Sequence, residues 1–109
     1  KEEINKYDKR VAIVASGDLS HRLSQDSPAG FSPQGQDFDD QIKNYLDKKE
    51  INKIIDLKPE FIEAAGECGY RSMLILLGAI KNMNFTPQQL SYESPFGIGY
   101  LVENFDFKN

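Results

Sequence analysis

The 109-residue sequence has little of several features from which functional classes are built. A single cysteine cannot form an internal disulfide framework, so we expect a reducing, cytoplasmic setting. No apolar run approaches the roughly twenty residues that span a bilayer, and no signal-peptide pattern is visible, so we expect no membrane partner. Basic residues, 13 against 17 acidic ones, provide no positive field, so we expect no nucleic-acid partner.

The length and the residue pattern predict one domain over 1–109 of the α/β class, a sheet with flanking helices. Residues 11–16 are small or β-branched and apolar, which predicts a strand covered on both faces. The final segment, 106–109, resembles the start of a linker. The remaining predicted elements are helices over 37–48, 51–57, 59–65 and 70–80 and strands over 85–93 and 98–105, with 70–80 buried against the sheet. Helix 37–48 is amphipathic, and one face carries Phe38, Ile42, Tyr45 and Leu46. Pro59 fits the first turn of helix 59–65, which we expect to end at Gly66.

The predicted loop over 22–36 is rich in glycine, proline and serine, so we expect it to be exposed. Because it follows His21 directly, it is a candidate lid or substrate-facing loop. The alternative is an inert surface connection.

The only histidine lies in the motif SGDLSH at 16–21, directly after the predicted strand. In an open α/β sheet, the carboxyl ends of the strands are where chemistry is performed. Asp18 and His21 are three residues apart, so a carboxylate and an imidazole can converge on one substrate or water and transfer a proton near neutral pH. The alternative is a histidine that serves only as a helix cap or loop residue.

A second motif, GECGYRS at 66–72, opens the apolar run of the last predicted helix. Its glycines free the backbone, and a helix amino end favours anions, including a thiolate. Glu67, Cys68 and Arg71 are therefore candidate site residues. Alternatively, Glu67 interacts with the helix dipole, Cys68 is a small buried residue and Arg71 is surface charge.

A third motif, SYESPFGIGY at 91–100, places polar side chains in an apolar strand beside proline and glycines. This pattern is typical of a strand that lines a pocket. The alternative is a plain hairpin in which Glu93 faces water and Tyr100 fills the core.

Taken together, these motifs resemble the class III extradiol ring-cleavage dioxygenase catalytic-subunit (LigB-like) superfamily. The likeness is closest to its Memo-like branch, found in bacterial and archaeal AmmeMemoRadiSam proteins. It covers nearly the whole chain and implies the carboxyl-terminal half of an αβα dioxygenase-subunit-like domain. The segments that carry it are SGDLSH, the loop AGFSPQG at 29–35, Phe38-Asp39, AGECGYRS at 65–72 and SYESPFGIGY.

The resemblance also implies roles for individual residues. Those dioxygenases hold a nonhaem Fe(II) ion with two histidines and a glutamate. His21 matches their acid–base histidine, and Asp18 matches a polar neighbour retained in the Memo-like branch. The third metal ligand falls at Glu67 or Cys68; spacing to the Gly78-Ala79 pair favours Cys68 as the Memo counterpart, and Glu67 keeps the carboxylate alternative open.

The sequence departs from the family at the two histidine ligands, since its single histidine matches the acid–base residue. We therefore expect a half-domain whose metal site, for Fe(II) or another divalent or copper ion, is complete only in an intact parent, with no cofactor held by this chain alone. The implied function is part of an oxidoreductase acting on a small aromatic or other oxygen-bearing substrate. The alternative is a Memo-like module that binds a ligand, metal or peptide without dioxygenase activity. A half-domain exposes a sheet edge, which favours self-association.

Overall fold

The computed structural model describes residues 10–107, which contain four helices and one antiparallel hairpin. This mixture of helices and a two-stranded sheet confirms the predicted α/β class. No helix within the described part of the chain is long and apolar enough to cross a membrane. The elements are α1 (Pro33–Asp47), α2 (Ile51–Ile55), α3 (Pro59–Ala65), α4 (Tyr70–Ile80), β1 (Phe85–Glu93) and β2 (Tyr100–Phe107).

Helix α1 begins at Pro33, four residues before the predicted start. Ser32 precedes it in an extended conformation, with φ −141° and ψ 130°, as a helix N-cap requires. Proline is well accommodated in the first turn, because the N–H it lacks has no partner inside the helix. The Ser32-Pro33 pair is thus a helix start and not part of the predicted loop.

Strands β1 and β2 pair from Phe85 opposite Phe107 to Glu93 opposite Tyr100, with one irregularity between Gln89 and Ser91. The connecting turn contains Gly97, whose φ of 73° lies in the left-handed region that glycine tolerates best. Asp106 and Phe107 lie at the end of β2, and residues 108–109 of the expected linker lie outside the described part.

The core forms where α1 meets the other helices and the hairpin. The Phe38 ring lies 5.9 Å from the Phe61 ring and 6.4 Å from the Tyr70 ring, centroid to centroid, which joins α1 to α3 and α4. The predicted inner face of α1 is confirmed, since Phe38, Ile42 and Leu46 are buried. The largest fully buried apolar side chains are Phe38, Ile42, Ile54, Leu77 and Ile80.

The strand predicted over 11–16 is wrong for this structure. Residues 10–18 belong to no helix or strand, and Val14 is 83% exposed. A β-branched run becomes a strand only where a neighbouring strand pairs with its N–H and C=O groups. Within residues 10–107, the sheet consists of β1 and β2, and neither pairs with this segment.

Helix α4 is also less buried than predicted. Leu77 and Ile80 lie in the core, whereas Ile75 is 74% exposed. A helix that is apolar on most of its circumference needs neighbours on every side to be buried. The described residues cover one face of α4 and leave the other open.

A cavity of about 600 Å³ separates residues 11–15 from α4 and β2. Glu103 of β2 lies in its wall, and neither carboxylate oxygen, both buried, has a hydrogen-bond partner within residues 10–107. Burial raises the pKa of Glu103 to about 7, and the nearby Asp47 adds to the rise. The charged form of this carboxylate is therefore poorly accommodated in the fold.

We expect Glu103→Met to stabilise the chain at pH 8 by about 1 kcal/mol, the low end of the cost of an unsatisfied buried polar group. Between about pH 4 and pH 7, the folded chain keeps the Glu103 proton that the unfolded chain releases, so wild-type stability falls as the pH rises through this window. The gain should thus shrink toward pH 4. Urea unfolding of the wild type and the variant at pH 8 and pH 4 measures the gain in stability. An equal gain at both pH values would contradict a raised pKa of Glu103 as its cause.

Candidate functional site

Two loops meet at one point on the surface: the SGDLSH segment, and the connection from α3 to α4 at 66–69. The Asp18 carbonyl accepts hydrogen bonds from the N–H groups of Gly69, at 2.8 Å, and Cys68, at 3.3 Å. The His21 N–H donates to the Gly66 carbonyl at 2.8 Å. These backbone bonds hold the loops together independently of the side chains that project from them.

The contact requires glycine at two positions. A Cβ atom at Gly17 would overlap the Gly69 Cα, and one at Gly69 would lie 2.9 Å from the Asp18 carbonyl oxygen. Gly66 is needed for a different reason, because with φ 62° it ends α3 in the left-handed conformation, as the sequence predicted.

The structure brings together Asp18, His21 and Cys68. One carboxylate oxygen, one ring nitrogen and the sulfur all lie within 4.8 Å of one another. The Asp18 N–H donates to the Cys68 sulfur at 3.1 Å, and His21 Nε2 lies 3.8 Å from Asp18 Oδ2. Nε2 is buried and has no hydrogen-bond partner in the described part of the chain, so this nitrogen is not engaged by another protein group.

These three donor atoms fit a transition-metal ion. Carboxylate, imidazole and thiolate are the groups that bind such ions, at roughly 2.0 to 2.3 Å. Donors around one ion then lie roughly 3 to 4 Å apart, so small side-chain rotations bring the set to bonding distance. Three protein ligands leave positions open for a substrate, and Cys68, which is exposed, keeps the point accessible.

Glu67 lies apart from this cluster. Its Oε2 accepts the Tyr70 N–H at 2.6 Å, so the carboxylate satisfies a free donor at the start of α4. This is the dipole interaction that the sequence left as an alternative. Arg71 is exposed, as its surface-charge interpretation expects.

The segment after His21 is attached to the hairpin turn. The Leu23 N–H and the Ser27 hydroxyl both donate to the Gly97 carbonyl, at 3.1 and 2.8 Å. The Arg22 guanidinium donates to the Ala64 carbonyl at 3.2 Å. So many attachments favour a fixed surface connection over a lid.

Sequence reasoning named Phe38-Asp39 among the segments of the family resemblance but assigned no role to the carboxylate, which lies beside the site. Asp39, on α1, is fully buried, and it accepts hydrogen bonds from the Ser20 N–H and the Tyr92 hydroxyl. Burial raises its pKa to about 6, against the opposing effect of these bonds and of Lys43. The available signal was an acidic residue three positions before Ile42, on the buried face of an amphipathic helix. Glu93, by contrast, is exposed, as in a plain hairpin.

We expect Glu67→Ala to lower the free energy of unfolding by about 1 kcal/mol, because the Tyr70 N–H loses a charged acceptor at a helix amino end. Glu67→Gln keeps an acceptor oxygen and serves as the matched control, with a smaller loss. Thermal unfolding of the two variants measures the difference. Equal stability of Glu67→Ala and the wild type would show that this bond contributes nothing.

Comparison with known proteins agrees with this arrangement of motifs. The family model for the catalytic LigB subunit of aromatic ring-opening dioxygenase matches residues 1–103. A protein of Clostridium acetobutylicum, Protein CA_C1420, is 41% identical over 101 residues, which are 93% of this chain and 21% of that protein. The chain thus spans about a fifth of this relative's length, and the relative's name states no activity. By the extent of the family match, the chain belongs to the family of the catalytic LigB subunit of aromatic ring-opening dioxygenases.

Proposed function

We propose that this chain supplies the proton-transferring residues and one metal ligand of an oxidoreductase that opens small aromatic rings. The observation that carries the proposal is the meeting of Asp18, His21 and Cys68, whose donor atoms lie within 4.8 Å of one another. Family membership supports the reaction class, because the family generally uses a metal such as Fe(II) and binds small aromatic substrates.

Cys68 is the metal ligand in this proposal. Its sulfur is exposed and is oriented by the Asp18 N–H, whereas the Glu67 carboxylate is engaged by Tyr70. A bound Fe(II) ion would supply open coordination positions and a path for electrons from the aromatic substrate, which is oxidised as its ring opens, to dioxygen, which is reduced. Further ligands come from outside this chain, which has one histidine.

His21 takes and returns the substrate proton. Its Nε2 has no hydrogen-bond partner within residues 10–107. The atom is buried whereas the side chain is 29% exposed, so a turn of the ring would bring Nε2 to a phenolic proton of a substrate bound beside Cys68. The Asp18 carboxylate, 3.8 Å from Nε2, stabilises the imidazolium that results. The proton can then be returned as the ring opens.

A second candidate is a Memo-like module that binds a metal, ligand or peptide without dioxygen chemistry. The specific observation that favours it is the thiol in the donor set. Sulfur ligands favour copper or zinc over the harder Fe(II). The two candidates share the residues and differ in the ion and the reaction.

We expect the chain on its own to bind Co(II), a spectroscopic probe for such sites, weakly. Without the ligands that the intact protein supplies from elsewhere, the ion would be held by Cys68 together with the nearest donors, Asp18 and His21. Cys68→Ser should lower the affinity at least tenfold and abolish the sulfur-to-cobalt absorption band. Glu67→Gln, one residue away, is the matched control and should leave both unchanged. Metal titration followed by absorbance gives both readouts. If Cys68→Ser bound Co(II) with the affinity of the wild type, the Cys68 sulfur would not be a ligand.

In the intact protein that carries this chain, we expect His21→Ala to retain its metal and to lower turnover by about 10² to 10⁴, the usual range for loss of a general acid–base. Cys68→Ala should instead lose metal, with activity partly restored by added metal. Oxygen uptake with catechols, measured beside metal content, separates the variants.

Two outcomes would contradict the acid–base role: loss of metal from His21→Ala, or unchanged turnover. A wild-type protein that binds copper or zinc and consumes no oxygen with any catechol would favour the second candidate.

A further inference from the structure

A carboxylate that the mechanism does not use lies directly behind the site. Asp39 is 0% exposed, and each of its oxygens accepts one hydrogen bond: Oδ1 from the Ser20 N–H at 2.8 Å, and Oδ2 from the Tyr92 hydroxyl at 2.5 Å. The nearby Lys43 ammonium lies over the Tyr92 ring, 3.7 Å from its centroid. Burying a carboxylate is costly, and the two hydrogen bonds offset part of that cost here.

Ser20 is the residue that this carboxylate holds, and all of its polar groups are engaged. Its hydroxyl donates to the Ala65 carbonyl at 2.6 Å and accepts the Arg22 N–H at 2.9 Å. Its carbonyl accepts the Gly99 N–H at 2.8 Å. With the bond to Asp39, four hydrogen bonds fix the peptide that leads into His21.

The surrounding backbone leaves space for this arrangement. A Cβ atom at Gly99 would overlap Asp39 Oδ2, and a Cβ atom at Gly35 would overlap the Ser20 hydroxyl. Both glycines have negative φ, so their backbone conformation does not demand glycine. Glycine is needed at these two positions because a larger residue would leave no space for the contact between Asp39 and Ser20.

We propose that Asp39 is a positioning residue: acting through Ser20, its carboxylate holds His21 where the ring nitrogen meets Asp18 and Cys68. The geometry of this connection stands on its own, and its consequence for metal binding rests on the proposed function. In the chain on its own, His21 is one of the three donors nearest to a bound ion, and groups that orient such a donor commonly change the affinity of the site about tenfold or more when they are altered.

The test compares three variants of the chain. Asp39→Leu removes both acceptors and keeps the branched shape of the side chain, with methyl groups larger than the carboxylate oxygens. Asp39→Asn keeps an oxygen for the Ser20 N–H. Ile42→Val, on the same buried face of α1, is the control for general loss of stability. The readouts are Co(II) affinity and hydrogen exchange of the His21 amide, expressed relative to exchange of the Leu77 amide in the core.

We expect Asp39→Leu to speed His21 exchange, relative to Leu77, at least tenfold and to weaken Co(II) binding about tenfold. Asp39→Asn should keep both the exchange ratio and the Co(II) affinity close to those of the wild type. Ile42→Val should change neither of these two readouts. A merely structural role would change His21 and Leu77 exchange together, and that result overturns the proposal.

The exchange readout also separates this proposal from the proposed function. If the wild-type chain binds no Co(II), the metal site fails, and the His21-to-Leu77 exchange ratio still decides the role of Asp39. If Asp39→Leu does not fold, Tyr92→Phe replaces it, since it removes one of the two donors that hold the carboxylate. An exchange ratio in Tyr92→Phe equal to that of Ile42→Val would then overturn the proposal.

Discussion

The site depends on a close backbone contact between Gly17 and Gly69. Side chains at these positions would force the two loops apart, because a Cβ at either glycine meets backbone atoms of the other loop. Only when both positions lack a side chain can the Asp18 carbonyl accept hydrogen bonds from the N–H groups of Cys68 and Gly69, the two residues before α4. The chemistry of Asp18, His21 and Cys68 is therefore a consequence of main-chain geometry, since the side chains project from a contact that is already formed.

The packing of α1 carries this geometry into the core. Phe38 joins α1 to the aromatic rings of α3 and α4, and the next residue, Asp39, bonds to Ser20. One turn of helix thus faces the apolar core and the candidate site together. The Asp39–Ser20 hydrogen bond therefore connects α1 to the backbone that leads into His21.

The helices were largely predictable from sequence because their signals are local. Gly66 ends α3 and Pro59 begins it, as expected, and the periodicity of α1 identified its buried face. Helix α1 begins earlier than predicted because proline is common both in loops and in the first turn of a helix. The three residues of the cluster were among the candidates that the sequence named, and their role stays a prediction. That Glu67 instead bonds at the start of α4 depends on side-chain direction, which sequence spacing does not specify. The strand over 11–16 was wrong because pairing is a property of the neighbours and not of the segment.

Two buried carboxylates show where the described structure satisfies its polar groups and where it does not. Asp39 has a donor for each oxygen and a pKa raised only to about 6; Glu103 has no partner within residues 10–107 and a pKa raised to about 7. The satisfied acid stands behind the cluster, and the unsatisfied one faces the cavity beside residues 11–15. That segment is the one whose composition predicted cover on both faces, and Val14 lies exposed. The composition of residues 11–15 and the missing hydrogen-bond partners of Glu103 therefore identify the same face, the one beside the cavity, as the face whose interactions are incomplete. The face that carries Asp18, His21 and Cys68 is already organised.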